Sequence, residues 1–201
     1  AKLRPDCILA CESDNRPEQI RELKKRFPVR SFAVRSIPAV LDTIHDLGRF
    51  MQKPEEARAI KNKILLEQDK SRQAAEGKNP VPTLVLIWNQ PFLTVNFDTY
   101  ISRLIEASGG YNVFHSDPLP EFPVELEDMI EKGPQLLLLP SVPFPFKKSH
   151  IAYFRKYRIF SSIPIEIVKG DLFSRFGPKT VEALRILRSL IAEKAIPGVV
   201  E

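Results

Sequence analysis

Glycine is scarce in this chain, with eight residues against eighteen prolines in 201. That ratio argues for stiff connections between elements. No phosphate loop or dinucleotide fingerprint is present, because Ser108-Gly109-Gly110-Tyr111 closes a helical pattern instead of opening one. Cysteine is nearly absent. Cys7 and Cys11 lie four residues apart in one expected strand. At about 3.3 Å per residue their Cα atoms are roughly 13 Å apart, whereas a disulfide needs less than about 7 Å. They are expected to be free, buried thiols, and a strand offers no turn to bring both sulfurs onto a metal. The three histidines, His45, His115 and His150, are far apart and form no His-x3-His or Glu-x-x-His pair. No G-x-S-x-G elbow occurs. Acid pairs such as Glu55-Glu56 and the group Glu125, Glu127 and Asp128 fall in first turns of helices, where the helix dipole accounts for them. No catalytic constellation stands out.

Long apolar runs are missing too, and none approaches the roughly 18 residues that a membrane span needs. The first residues run straight into a strand, as those of a mature exported protein also would, so they leave the compartment open. The net charge is +5. The cations are interleaved with acids, as in Arg21-Glu22-Leu23-Lys24-Lys25-Arg26, which describes solvated helix faces and no nucleic-acid stripe. A composition of 43% hydrophobic and 27% charged residues is that of an ordinary globular protein. Its length suits one sizeable domain or two small lobes.

What the chain does have is a leucine strand followed by an aromatic-proline loop. Leu136–Leu139 follows Gly133-Pro134 and reads as a short strand buried on both faces. Pro140-Ser141-Val142-Pro143-Phe144-Pro145-Phe146 comes next. Similar alternation runs through the chain. Strands are expected at Cys7–Cys11, Val29–Val34, Thr83–Trp88 and Pro164–Val168. Helices are expected from Pro17 to about Arg26, from Ser36 as cap through the stripe Val40, Leu41, Ile44, Leu47 and Met51, from Asp98 as cap to Gly109-Gly110, over Val124–Glu131 and His150–Tyr157, and from Pro178 onward. Pro54 opens a helix that reaches about Glu76, some 23 residues or about 35 Å at 1.5 Å each. Its last third is nearly all polar, as in a helix that bridges two lobes with little to pack on. Strands alternating with helices predict an α/β protein with parallel sheets flanked by helices. The expected organisation is a partial first lobe over 1–52, a connecting helix over 53–78 and a second lobe over 79–201.

In open parallel sheets, ligands sit beyond the carboxyl ends of the strands. Four loops lie there: Ser13–Arg16, Trp88–Phe92, Pro140–Phe146 and Lys169–Phe176. They offer Trp88, Phe92, Phe144, Phe146 and Phe176 as aromatic walls and Arg16 and Arg175 as cations, a composition that suits a binding cleft. Each aromatic could instead plug the core beneath its loop.

The run Trp88-Asn-Gln-Pro-Phe-Leu-Thr-Val followed by Thr99-Tyr-Ile-Ser-Arg-Leu-Ile-Glu-Ala-Ser-Gly-Gly-Tyr-Asn-Val-Phe resembles the second lobe of ABC-transporter periplasmic binding proteins of the helical-backbone group, the receptors for cobalamin, haem and iron siderophores. Leu139-Pro-Ser-Val-Pro-Phe-Pro-Phe-Lys-Lys-Ser-His and Gly170-Asp-Leu-Phe-Ser-Arg-Phe-Gly are similar to the cobalamin-binding branch, and Leu3-Arg-Pro-Asp-Cys-Ile-Leu-Ala to a first-lobe strand. The resemblance implies two α/β lobes joined by one long backbone helix, small lobe closure and capture without catalysis or a resident cofactor. It places Trp88, Phe92, Phe144, Phe146, Arg175 and Phe176 on the second-lobe side of a cleft, with Asn15 and Arg16 opposite. The ligand it favours is a cobalamin-like corrinoid, with an iron siderophore or haem as the alternative, and the partner is an ABC permease. The location it implies is periplasmic or, as a lipoprotein, the cell surface. It also places a further β-α-β portion and the signal sequence ahead of Leu3, so the first lobe is expected to be incomplete, with an exposed apolar edge or face that favours dimerisation. A cytoplasmic α/β enzyme or cofactor-handling protein is the competing class, to which free thiols would be suited.

Overall fold

A strand that is apolar at every position must be covered on both faces, and the second half of the chain is built around one such strand, Leu136–Pro140. The computed structural model describes residues 3–193. In order, the elements are β1 (Ile8–Cys11), α1 (Pro17–Lys24), β2 (Val29–Phe32), α2 (Ile37–Phe50), α3 (Pro54–Ala75), β3 (Val81–Val85), β4 (Leu93–Val95), α4 (Tyr100–Ala107), β5 (Gly110–Asn112), β6 (Glu121–Pro123), α5 (Leu126–Glu131), β7 (Leu136–Pro140), α6 (Lys148–Phe154), α7 (Arg158–Ser162), β8 (Ile165–Val168), α8 (Asp171–Ser174) and α9 (Lys179–Ala192). A four-stranded parallel sheet runs β5-β3-β7-β8. The leucines of β7 divide between its faces. Leu136 and Leu138 join one apolar core with Val85 and Ile87, while Leu137 and Leu139 join a second with Leu84 and Leu86. A separate two-stranded parallel sheet, β1-β2, forms the first lobe, and neither sheet continues into the other. A short antiparallel pair, β4-β6, flanks the second lobe.

The helix starts follow their capping chemistry. Ser36 Oγ accepts from the Ala39 N–H at 3.3 Å and Pro38 occupies the first turn of α2. Where Asp98 was expected to cap α4, Thr99 does so instead, accepting from the Ser102 N–H at 3.3 Å. Arg35 holds the Asp98 carboxylate, and the Asp98 N–H donates to Asn96 Oδ1 at 2.7 Å. Met51 leaves the α2 stripe: it stands at the C-cap, 62% exposed. The two cysteines are free but half-buried, and Cys11 Sγ lies 2.8 Å from Ser13 Oγ.

α3 spans 22 unbroken residues between the two sheets. At its start it is seated tightly on α2, since a Cβ on Gly48 would meet that of Ala57 at 2.3 Å. Its polar last third does have a partner. Glu67 and Ser71 are buried there against α9, beneath Arg188. One side of that stretch is thus held by a buried ion-pair network, while Asp69, Lys70, Arg72 and Gln73 face solvent. On the first lobe, β1 has no second neighbour among the described residues, and Leu9 in its middle is 51% exposed. Among the described residues no helix is long and apolar enough to cross a membrane.

Candidate functional site

Five parallel strands point their carboxyl ends at one concavity. β1 delivers Ser13 and Asp14, and β2 delivers Val34 and Arg35. From the second lobe, β3 delivers Ile87, β7 delivers Val142 and Pro143, and β8 delivers Phe173, Ser174 and Phe176. The start of α4, with Asp98 through Ile101, and Pro120 and Glu121 at β6 complete a cleft of about 390 Å³ between the lobes. This is the position at which open parallel sheets bind ligands, and the volume lies toward the lower end for small-molecule sites. Larger in volume is a groove of about 900 Å³ between α3 and α4. It lies away from the strand ends and is lined mainly by polar residues such as Gln68, Asp69 and Arg72.

Several local features set the cleft wall. The Asn15 side chain donates to the Cys11 carbonyl at 2.8 Å and so pins the turn that presents Asp14; Ser13 Oγ donates to Asp14 Oδ1 at 3.2 Å. The Gly170 N–H donates to Ser141 Oγ at 3.0 Å, tying the loop after β8 to the loop after β7. A Cβ at Gly170 would meet Val142 N at 2.3 Å, so only glycine allows these two cleft loops to approach so closely. Tyr100 turns its hydroxyl inward to Thr180 Oγ1 at 2.7 Å. Burial, opposed in part by that hydrogen bond, pushes the Tyr100 phenol up to about 12. It is therefore a neutral wall beside Phe176, whose ring meets it edge-on at 6.4 Å. Arg35 of the first lobe forms an ion pair with Asp98 of the second, a polar link across the cleft.

Of the residues proposed from sequence, Phe176 lines this cleft. Asn15 and Arg175 adjoin lining residues in the chain and Arg16 is one residue further off, but none of the three lines it. The aromatic loop turns the other way. Phe146 is 4% exposed and belongs to the second core, and Phe144 packs on that core too. The Phe146 N–H donates to the Phe144 carbonyl at 2.9 Å, which folds the loop back over the sheet. Phe144, Phe146 and His150 form an edge-to-face cluster with centroids 4.8 to 5.4 Å apart, and Trp88, 40% exposed, adds its indole 5.6 Å from Phe144. Phe92 packs 5.4 Å from Phe154, also in the second core. Sequence reasoning did not single out Arg35, Asp98, Glu121 and Tyr100. Val34 ends an expected strand, Arg35 falls between that strand and the Ser36 cap, and Asp98 is expected only as a helix cap. The rule that had found the other loops, proximity to a strand's carboxyl end, also applies to Arg35. Among the described residues no group of three or more histidine, cysteine or acidic side chains is arranged to hold a metal.

A family model described as periplasmic binding protein matches residues 1–142. A curated vitamin B12-binding protein of Pectobacterium carotovorum subsp. carotovorum (strain PC1) is 25% identical over 184 residues, which cover 90% of this chain and 65% of that protein. The chain spans about two thirds of the length of the curated relatives it matches. Among solved structures, a possible iron-binding (periplasmic solute-binding) protein from Staphylococcus epidermidis ATCC 12228 aligns at 25% identity with a TM-score of 0.74, over 92% of this chain and 75% of that one. A periplasmic haem-binding protein from Roseiflexus sp. RS-1, in apo form, aligns at 18% identity with a TM-score of 0.80, over 95% and 77%.

Proposed function

The chain belongs to the periplasmic binding protein family, and from that premise we propose that it captures a metal-chelate solute between its lobes and passes it to an ABC-transporter permease, without chemistry of its own. The favoured ligand is a corrinoid. The observation that carries this is the convergence of five strand ends, from both lobes, on one cleft with apolar walls at Ile87, Ile101, Phe173 and Phe176. A curated relative that is itself a vitamin B12-binding protein supports the choice of corrinoid over other chelates. The cleft of about 390 Å³ suits one face of a flat macrocycle, with the remainder of so large a ligand outside. Such a receptor works outside the cytoplasm, in a periplasm or tethered at a cell surface. In this assignment residues 1–52 belong to the first lobe, 53–78 to the connecting helix and 79–201 to the second lobe.

Isothermal titration calorimetry with cyanocobalamin tests this. Saturable binding is expected, weakened roughly thirtyfold in Phe176→Ala, since truncating a buried aromatic anchor commonly costs about 2 kcal/mol. A chain that unfolds cooperatively yet takes up no corrinoid would reject that ligand.

A further inference from the structure

The wall of the cleft runs against the charge of the chain as a whole. The sequence carries a net +5, yet the charged residues lining the cleft are Asp14, Asp98 and Glu121 against a single cation, Arg35. That cation is already engaged by Asp98. Asp14 and Glu121 are left as carboxylates with no cationic partner among the described residues. Asp14 receives only the Ser13 hydroxyl, at 3.2 Å. The other cations of the neighbouring loops, Arg16, Lys169 and Arg175, are exposed and lie outside the lining.

Taking this cleft to be the solute site as above, we propose that it selects a chelate whose periphery is uncharged and rich in amide donors, and rejects chelates that carry carboxylates. An ionised carboxylate accepts hydrogen bonds and donates none. Asp14 and Glu121 can therefore receive N–H groups from primary amides on a ligand's rim. A ligand carboxylate in the same place meets two like charges. Arg35 can turn its remaining N–H groups to such a carboxylate, but its one positive charge is already balanced by Asp98, so the wall stays net negative. Discrimination of this kind comes from a repulsive element built into the wall, with the apolar residues supplying affinity to both classes alike. Screening sets its range. The Debye length is about 10 Å at 0.1 M salt, so the preference must weaken as salt is added.

Matched ligand pairs isolate the charge. One pair is cyanocobalamin and its tricarboxylate, made by hydrolysing peripheral amides; the other is iron protoporphyrin and its dimethyl ester. Calorimetry on the whole chain is expected to favour the neutral member of a pair by about tenfold or more at low salt, the order expected of one or two like-charge contacts at partly screened distances. The gap should narrow in high salt and in the double variant Asp14→Asn with Glu121→Gln. Equal or tighter binding of the carboxylate members overturns the proposal, and so does a gap that the double variant leaves unchanged. If neither corrinoid binds while the dimethyl ester outbinds the diacid, the corrinoid assignment falls and the charge selection stands. Binding by none of the four overturns both.

Discussion

Glu67 is the most consequential charge in the connecting helix. Its side chain is 4% exposed, and it sits in the polar last third of α3, facing α9. Lys70 Nζ approaches Oε1 at 3.1 Å and Arg185 Nη2 at 3.3 Å, while Arg188 Nη2 lies 2.9 Å from Oε2. Arg188 Nη1 also donates to the Glu67 carbonyl at 3.2 Å and to Ser71 Oγ at 3.3 Å. Burial alone would push the carboxyl up. Arg188, Lys70 and Arg185 outweigh it and hold the group down at about 2, against an ordinary 4.5. Such a group stabilises the fold above its unfolded-state pKa, and the contribution is lost as pH falls through 4.5 toward about 2. At about 1.4 kcal/mol per pKa unit the upper limit is about 3 kcal/mol. Lys70 and Arg185 keep 48% and 63% of their side-chain surface in solvent, which reduces it to about 2 kcal/mol.

The perturbation is Glu67→Gln, which keeps the size and removes the charge. At neutral pH the variant is expected to be less stable by about 2 kcal/mol, or about 4–8 °C in Tm for a chain of this length. Denaturant unfolding from neutral pH down to about pH 3 should show the parent's advantage shrinking through the range in which Glu67 protonates in the unfolded chain. A stability difference that stays the same across that range would refute the charge argument. It would leave packing as the only role of the side chain.

Other substitutions separate the parts of the molecule. Phe146→Ala should cost about 3–5 kcal/mol in thermal or denaturant unfolding, the loss typical of a core phenylalanine, whereas Phe176→Ala at the half-buried cleft wall should cost less stability and more affinity; the opposite pattern would exchange their roles. Gly170→Ala should force the loops after β7 and β8 apart, because its Cβ would meet Val142 N at 2.3 Å, and should lower both Tm and ligand affinity; an unchanged Tm would mean the backbone yields there without strain. Tyr100→Phe should cost about 1 kcal/mol by leaving Thr180 Oγ1 without its buried partner, read as a shift in denaturant midpoint, and no shift would count against that bond. Leu9→Lys places a lysine on the open edge beside β1, and light scattering should record less concentration-dependent association than in the parent.

Strands buried on both faces were legible because their physics is local. Four leucines in succession leave no polar face, and the structure sends them alternately to two cores. The long helix was legible from its apolar spacing and from Pro54 at its start. Three of the shortest strands were not. β4, β5 and β6 have three residues each, too few to display a period, and Gly109-Gly110 looked like a helix stop alone. Gly110 in fact enters β5, where a Cβ would strike Ile105 Cγ2 at 2.7 Å. The α7 turn was hidden as well, its carbonyls at Phe160, Ser161 and Ile163 gathered by Arg155 from outside the helix. Within the candidate site, proximity to a strand end picked out loops of which three contribute to the cleft wall, but could not tell which way an aromatic ring points. Phe144 and Phe146 lie in the same loop after β7 as Val142, yet of that loop only Val142 and Pro143 reach the cleft. Arg35 and Asp98 are 63 residues apart, and no local pattern announces a pair of that kind.

The same long-range contacts bear on how the cleft works. One apolar core contains Val34, Ile37, Val40 and Ile44 from the first lobe together with Val85, Ile87, Tyr100 and Leu104 from the second. α3 runs unbroken between the sheets and is fastened to α9 by Glu67, Arg185 and Arg188. A wide swing of one lobe would have to open that core and break those pairs, whereas a small tilt would cost neither. Large closure is thus unavailable as a source of selectivity, because a wall that moves little cannot be remade around each ligand. Whatever discrimination the cleft achieves must already be present in it. In the proposed reading it rests on the shape set by Gly170 and Val142, the apolar rings of Phe173 and Phe176, and the carboxylates Asp14 and Glu121.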